Sequence, residues 1–222
     1  MPARPQQTVI VIDDQTPAPP SVREFAGKKA HLFYFQSPKN GRRFIFCGQL
    51  NFYLAILLKG ELGVVGYGPR TTADTPGFTA QLRDGRSKDY ETRYLLDGLR
   101  PPLIASLTGT GAADTTRTAQ PMLITDHYVR DRQVPIENWI FLCASMNRAR
   151  LHSCENEAGV MCSMLERLGS VSFETLLSQS GIDRACMLAA IARAIQAGAV
   201  SCETQDAPIT RLSTVSTLRS QK

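Results

Sequence analysis

No stretch of the chain approaches the roughly 18 consecutive apolar residues that a membrane-spanning helix needs. The longest candidate, residues 52–58, is broken by Lys59-Gly60-Glu61. Near the start, the apolar run from Val9 to Ile12 stops at Asp13-Asp14, too short for the core of a secretory leader. These lacks predict a cytoplasmic protein with no membrane partner. The spacings of a metal or redox module are missing too. Cys47, Cys143, Cys154, Cys162, Cys186 and Cys202 form no CxxC pair, and none stands at zinc-ligand spacing from His31, His127 or His152. In a reducing compartment they read as small buried hydrophobes. There is no GxSxG elbow to strain a serine, so Asp126-His127 reads as a solvent-facing turn rather than a general base. Gly109-Thr110-Gly111 lacks the Gly-Lys-Ser/Thr continuation of a phosphate loop and reads as a flexible turn. Charge of one sign is in modest excess: 25 Lys+Arg against 20 Asp+Glu give +5, which permits an anionic partner without demanding one. Lysine is unevenly spread, with none between Lys88 and Lys222.

What is present suffices for a core. At 222 residues the chain is long enough for one large domain or two small ones, and a chain of this size buries roughly 70% of its unfolded surface. Residues 1–27 hold five of the thirteen prolines and read as an arm, because proline lacks an amide donor and fixes φ. Two aromatic-rich runs, HLFYFQ from His31 and RRFIFC from Arg42, flank Asn40-Gly41 and predict a β-hairpin. From residue 49 to 59 the apolar spacing turns helical (Leu50, Tyr53, Leu54, Leu57, Leu58), with Gly60 placed to end the helix. GVVGYGP follows as a strand. Runs broken at Asp84-Gly85 and Asp97-Gly98 predict three successive strands, FTAQLR, DYETRYLL and PPLIASL. Residues 112–120 are a weak helix candidate and residues 122–125 a short strand.

The pattern changes near residue 135. Residues 136–167 read as helical, 172–180 and 183–197 as two further helices joined by Ser180-Gly181-Ile182, with Gly198 as a cap and 199–203 as a strand. Helix, short turn with glycine, helix, strand is a helix-turn-helix or winged-helix pattern, and such units bind DNA or proteins. Trp139, the one tryptophan, and Phe141 are expected to pack the junction rather than stack on bases.

The order of these elements resembles the TnsA-type transposon endonucleases over residues 30–215. Their first motif, ESxLE on an apolar helix and then a strand ending in tyrosine and proline, matches CGQLNFYLAILLKGELGVVGYGP, Cys47 to Pro69, without a gap. Their second, YTPDF with a DG turn and an IEVK strand, corresponds to YETRYLLDGLRPPLIASL, Tyr90 to Leu107. ITDHYVRDRQVPIENWIFL resembles their interdomain link. The resemblance implies an α/β fold: a restriction-endonuclease-like mixed sheet with flanking helices, then a small winged-helix-like domain. The implied boundaries are 1–27 for the arm, 28–134 for the nuclease-like domain, 135–168 for a helical connection, 169–216 for the winged-helix-like domain and 217–222 for a tail.

Cutting DNA with Mg²⁺ requires carboxylate oxygens to hold a hard ion that generates hydroxide and stabilises the leaving oxygen. Carried over by position, the family's helix Glu falls on Asn51, its strand Asp on Arg93, its second-strand acid on Ala105 and its Lys on Leu107. A guanidinium at a cation site opposes metal binding. The lysine gap means that no shift of register puts a lysine on residues 103–107. The resemblance therefore implies a catalytically inactive pseudo-nuclease with no cofactor, an accessory DNA- and protein-binding subunit of a transposition complex. Its implied partners are DNA, a transposase or AAA+ ATPase subunit, or an active nuclease paralogue. Arg42, Arg43, Arg148, Arg150, Arg184 and Arg193 are the candidate DNA contacts, with His152 beside the second pair. Two rivals stand beside this reading: an active Mg²⁺-dependent endonuclease using Asp89, Glu91 and Asp97, and a winged-helix DNA-binding regulator.

Overall fold

The computed structural model describes residues 8–12, 31–70, 77–94 and 120–218. Asn40-Gly41 closes the expected hairpin: Gly41 takes φ +66°, and β2 (Leu32–Ser37) pairs antiparallel with β3 (Arg42–Cys47). The other edge of β3 is taken by β1 (Thr8–Ile12), so the first sheet runs β1-β3-β2. Alternation along the hairpin points Phe33, Phe35, Phe44 and Phe46 at a helix, α1 (Gln49–Gly60), where Phe33 stacks on Phe52 with ring centres 4.6 Å apart.

Gly60 is the last residue of α1, and Glu61 continues extended, so it is not a left-handed cap. A Cβ at Gly60 would stand 2.2 Å from the Trp139 indole nitrogen. Glycine is there to admit the tryptophan, not to turn the chain. The end of α1 is held instead by Lys39 from the hairpin turn, whose Nζ donates to Leu58 O at 3.0 Å and Glu61 O at 2.9 Å, a cation on the helix's negative end. Gly60→Ala is expected to cost about 1–3 kcal/mol by overpacking, read as a lower urea midpoint with an unchanged m-value.

The second sheet has the order β4-β5-β6-β7: β4 (Val64–Pro69), β5 (Gly77–Leu82) and β6 (Ser87–Arg93) form an antiparallel meander, and β7 (Met122–Thr125) lies parallel to β6. Gly85 at φ +83° makes the β5–β6 turn. Both edges of β6 across Tyr90 and Glu91 carry described strands. The predicted strand at 103–107, its Asp97-Gly98 turn and the helix candidate before residue 120 lie outside the described residues. Asp126-His127 is not a loop turn: it opens α2 (Asp126–Arg130), capped by the Thr125 hydroxyl accepting from Tyr128 N.

The predicted helical span 136–167 is two helices, α3 (Gln133–Arg148) and α4 (Glu155–Leu168). The break lets both pack on α6 (Arg184–Ala197), which one straight rod could not do. Between α4 and α6 lie β8 (Ser170–Ser172) and α5 (Phe173–Leu177), and after α6 come β9 (Val200–Cys202) and β10 (Thr214–Thr217). Asp183 caps α6 through Cys186 N at 2.9 Å, and Gly198 ends it at φ +68° with Ala199 N returning to Ala194 O. A third sheet, β8-β10-β9, closes antiparallel around β10. The fold is thus mixed α/β, and one apolar cluster runs from Phe35 through Trp139 to Val215. Helix α3 carries it, packing on α1 on one side and α6 on the other. Among the described residues no helix is long and apolar enough to cross a membrane.

Candidate functional site

The helix and strand named by the resemblance do meet, one residue away from the expected register. Asn51 is fully buried on the inner face of α1, and its Oδ1 accepts from the Thr92 hydroxyl at 2.9 Å. Its Nδ2 has no partner. On β6 the side chains alternate, with Tyr90 and Thr92 inward and Asp89, Glu91 and Arg93 on the opposite face. Arg93 therefore does not face Asn51; neutral Thr92 does. Ala105, Leu107 and Asp97 lie outside the described residues.

The two described carboxylates of the rival site are already engaged. Asp89 accepts from Thr79 Oγ1 at 2.6 Å and stands 3.8 Å from Arg70 Nε, while Glu91 pairs with Arg93 at 2.7 Å. Arg70 and Arg93 put fixed positive charge next to both acids, which works against a cation there. Among the described residues no group of three or more His, Cys, Asp or Glu side chains is placed to hold a metal ion. A cleft of about 280 Å³ opens beside the start of α1, lined by Gln49, Tyr53, Tyr94, Asp126 and Glu137 among others. There the backbone amides of Leu50 and Gln49 point at the Tyr94 hydroxyl, but burial outweighs them and its pKa is raised.

The six candidate arginines do not gather in one place. Asn147 Nδ2 donates to Gln36 O at 2.9 Å across 111 residues of chain, which puts the last turn of α3 against the hairpin. Gln36 also accepts from Arg43 Nε at 3.2 Å. Just past Asn147, Arg193 Nη2 donates to Ala149 O at 3.1 Å, between Arg148 and Arg150. The end of α3, with exposed Arg148, Arg150 and Arg193 close by, thus packs near the hairpin strand that carries exposed Arg43, whereas Arg42, the preceding residue of β3, lines a separate groove with Val65, Gly66 and Thr79. Arg184 stands apart, at the start of α6, in a groove with Arg211.

Helix α6 buries one face and leaves Arg184, Arg193 and Ala197 exposed on the other side. Cys186, Met187, Ala189, Ala190, Ile191, Ala192 and Ile195 are all buried under α3, α4 and their neighbours. Trp139 is buried against Gly60 of α1, but Phe141, expected beside it, is 41% exposed and lines the same groove as Arg184. The cysteine reading holds for Cys143, Cys154 and Cys186; Cys162 is exposed on α4.

Two features escaped sequence reasoning. Buried Asn138 holds the β9–β10 connection: Nδ2 donates to Thr204 O at 3.0 Å and Ala207 O at 2.8 Å, and Oδ1 accepts from Ile209 N at 2.7 Å. Lys59 is also fully buried, with no hydrogen-bond partner for Nζ. Burial lowers its pKa to about 6, the nearby Cys143 opposing the shift and Lys39 adding to it; Cys143 is pushed up to about 12 by burial. No family model, curated protein or solved structure matches the chain.

Proposed function

We propose that this chain is a catalytically inactive relative of the TnsA-type endonucleases, working as an accessory DNA- and protein-binding subunit of a transposition complex. The contact that carries the reading is Asn51 Oδ1 to Thr92 Oγ1. Where the resemblance calls for carboxylates from a helix and a strand, an amide and a hydroxyl close on each other in the core. Neither brings the negative charge that a hard divalent ion requires. The meander β4-β5-β6, with β7 parallel beside it and α1 packed against the sheet, supports a restriction-endonuclease-like first part. The order α4, β8, α5, α6, β9, β10, with β10 between β8 and β9, supports a winged-helix-like second part.

With the metal chemistry gone, surfaces are the working parts. Exposed Arg43, Arg148, Arg150 and Arg193, and Arg42 in its separate groove, are the cations offered to DNA phosphates, contacts that position a protein without reading sequence. A transposase, an AAA+ ATPase subunit or an active nuclease paralogue would then supply the chemistry.

Supercoiled plasmid incubated with the protein and Mg²⁺ or Mn²⁺ should stay intact; nicking that Asp89→Ala or Glu91→Ala abolishes overturns the proposal. The binding half is tested by a salt series. Arg43→Glu with Arg148→Glu should weaken binding to duplex DNA and shallow the slope of log K against log salt by about 0.9 for each phosphate that is no longer neutralised. An unchanged slope would assign these arginines to a merely solvated face.

A further inference from the structure

A groove of about 480 Å³ lies among α3, α5, α6 and the β9–β10 connection, on the part of the molecule away from the Asn51–Thr92 contact. Its floor is apolar, built from Phe173, Leu177, Leu188 and Ile209, with Phe141 exposed at one edge. The volume falls in the roughly 300–1,000 Å³ range of ligand clefts. Its walls are fixed by the backbone. Phe173 N donates to Ser213 O at 2.9 Å, Glu174 N to Arg211 O at 2.8 Å, and Ile209 N to Asn138 Oδ1 at 2.7 Å. A groove held this way costs little to order when something enters it.

Charge says what that something is. Arg184 from α6 and Arg211 from the β9–β10 connection both line the groove, and among the described residues neither makes an ion pair. Glu174 is the one carboxylate among the lining residues. The cations and the apolar floor together ask for a ligand that is apolar on one side and acidic at its margins. Nucleic acid satisfies the charge but not the floor. A second copy of this chain would bring a net +5 to a basic rim.

We propose that this groove docks a short segment of a partner protein, an amphipathic stretch that inserts apolar side chains against Leu177, Leu188 and Ile209 and sets carboxylates against Arg184 and Arg211. This is the helix-in-groove mode of recognition, with the arginines fixing orientation. It removes Arg184 from the DNA-contacting set. The inference needs only the C-terminal elements and stands whether or not the nuclease-like reading does.

Short random peptides displayed on phage, selected on the full chain, give the test. Selected sequences should carry Leu, Ile or Phe three or four residues apart with Asp or Glu beside them. A labelled synthetic copy of the strongest should bind the double variant Arg184→Glu, Arg211→Glu at least about tenfold more weakly, by fluorescence anisotropy. Both arginines are exposed, so the variant should keep its melting curve, and Phe141→Ser should weaken the same peptide from the apolar side. No enrichment, enrichment of basic peptides, or equal binding to the double variant would each overturn the proposal. So would self-association of the free chain that the charge reversal abolishes, since the occupant would then be a second copy.

Discussion

Lys59→Met should leave the protein more stable at pH 7 by about 3–5 kcal/mol and flatten its stability between pH 6 and 8. The lysine sits in the last turn of α1, fully buried, with no hydrogen-bond partner and the Tyr67 ring 5.5 Å away. Burial drives its pKa from 10.5 down to about 6. At neutral pH the native amine is therefore uncharged and makes no cation–π contact worth counting. The unfolded chain gains a proton there that the native chain cannot hold. Each pH unit between a folded and an unfolded pKa is worth about 1.4 kcal/mol. Methionine has a similar length and no charge to desolvate, so most of that penalty should vanish.

The sign follows from the direction of the shift. The folded pKa lies below the unfolded one, so the unfolded state binds more protons throughout the window from about 6 to 10.5, and stability rises with pH across it. Below about 6 the native state is protonated too, and the slope levels off with the full penalty in place. Lys39, held near 8 by burial, adds a slope of the same sign above that value. Urea melts at pH 6, 7 and 8 should thus separate the two lysines: the wild type climbs across this range and Lys59→Met does not, while both climb above pH 8. A constant gap between the two proteins at every pH would mean that Lys59 is charged in the native state.

Local chemistry makes much of this fold legible from the chain. Asn40-Gly41 between aromatic runs, the spacing from Leu50 to Leu58, and Asp183 with Gly198 at the two ends of α6 each carry their own geometric instruction, and the fold follows each. The failures share one cause: the deciding partner is far away in sequence. Gly60 looks like a cap until Trp139 is brought against it. The strands β8 and β10 have three and four residues, too few to show alternation, and exist because β10 fits between β8 and β9. At the candidate site an alignment one residue off exchanges the faces of a strand, and so sets Arg93 opposite Asn51 where Thr92 stands. That the end of α3 packs against the hairpin is likewise invisible until Asn147 meets Gln36 across 111 residues of chain.

Asn138→Ala should destabilise the chain by about 3–5 kcal/mol, and Asn138→Asp should be worse. No sequence signal beyond the PIEN stretch marks this residue, because its partners lie 66, 69 and 71 positions away. Alanine strips one acceptor from Ile209 N and two donors from Thr204 O and Ala207 O, and an unmet buried group costs about 1–3 kcal/mol. Aspartate keeps the acceptor for Ile209 N but turns its second oxygen toward two carbonyl oxygens, replacing attraction by repulsion around a buried charge. A residue that only filled space would give the opposite order, since aspartate matches asparagine in shape. Limited proteolysis should find the new cut sites between residues 203 and 213 in both variants. Because Ile209, Thr210 and Arg211 form one wall of the groove, peptide binding should fall in the same order as stability. Loss of stability with binding intact would mean that the wall is shaped by β9 and β10 themselves and that Asn138 acts on the core alone.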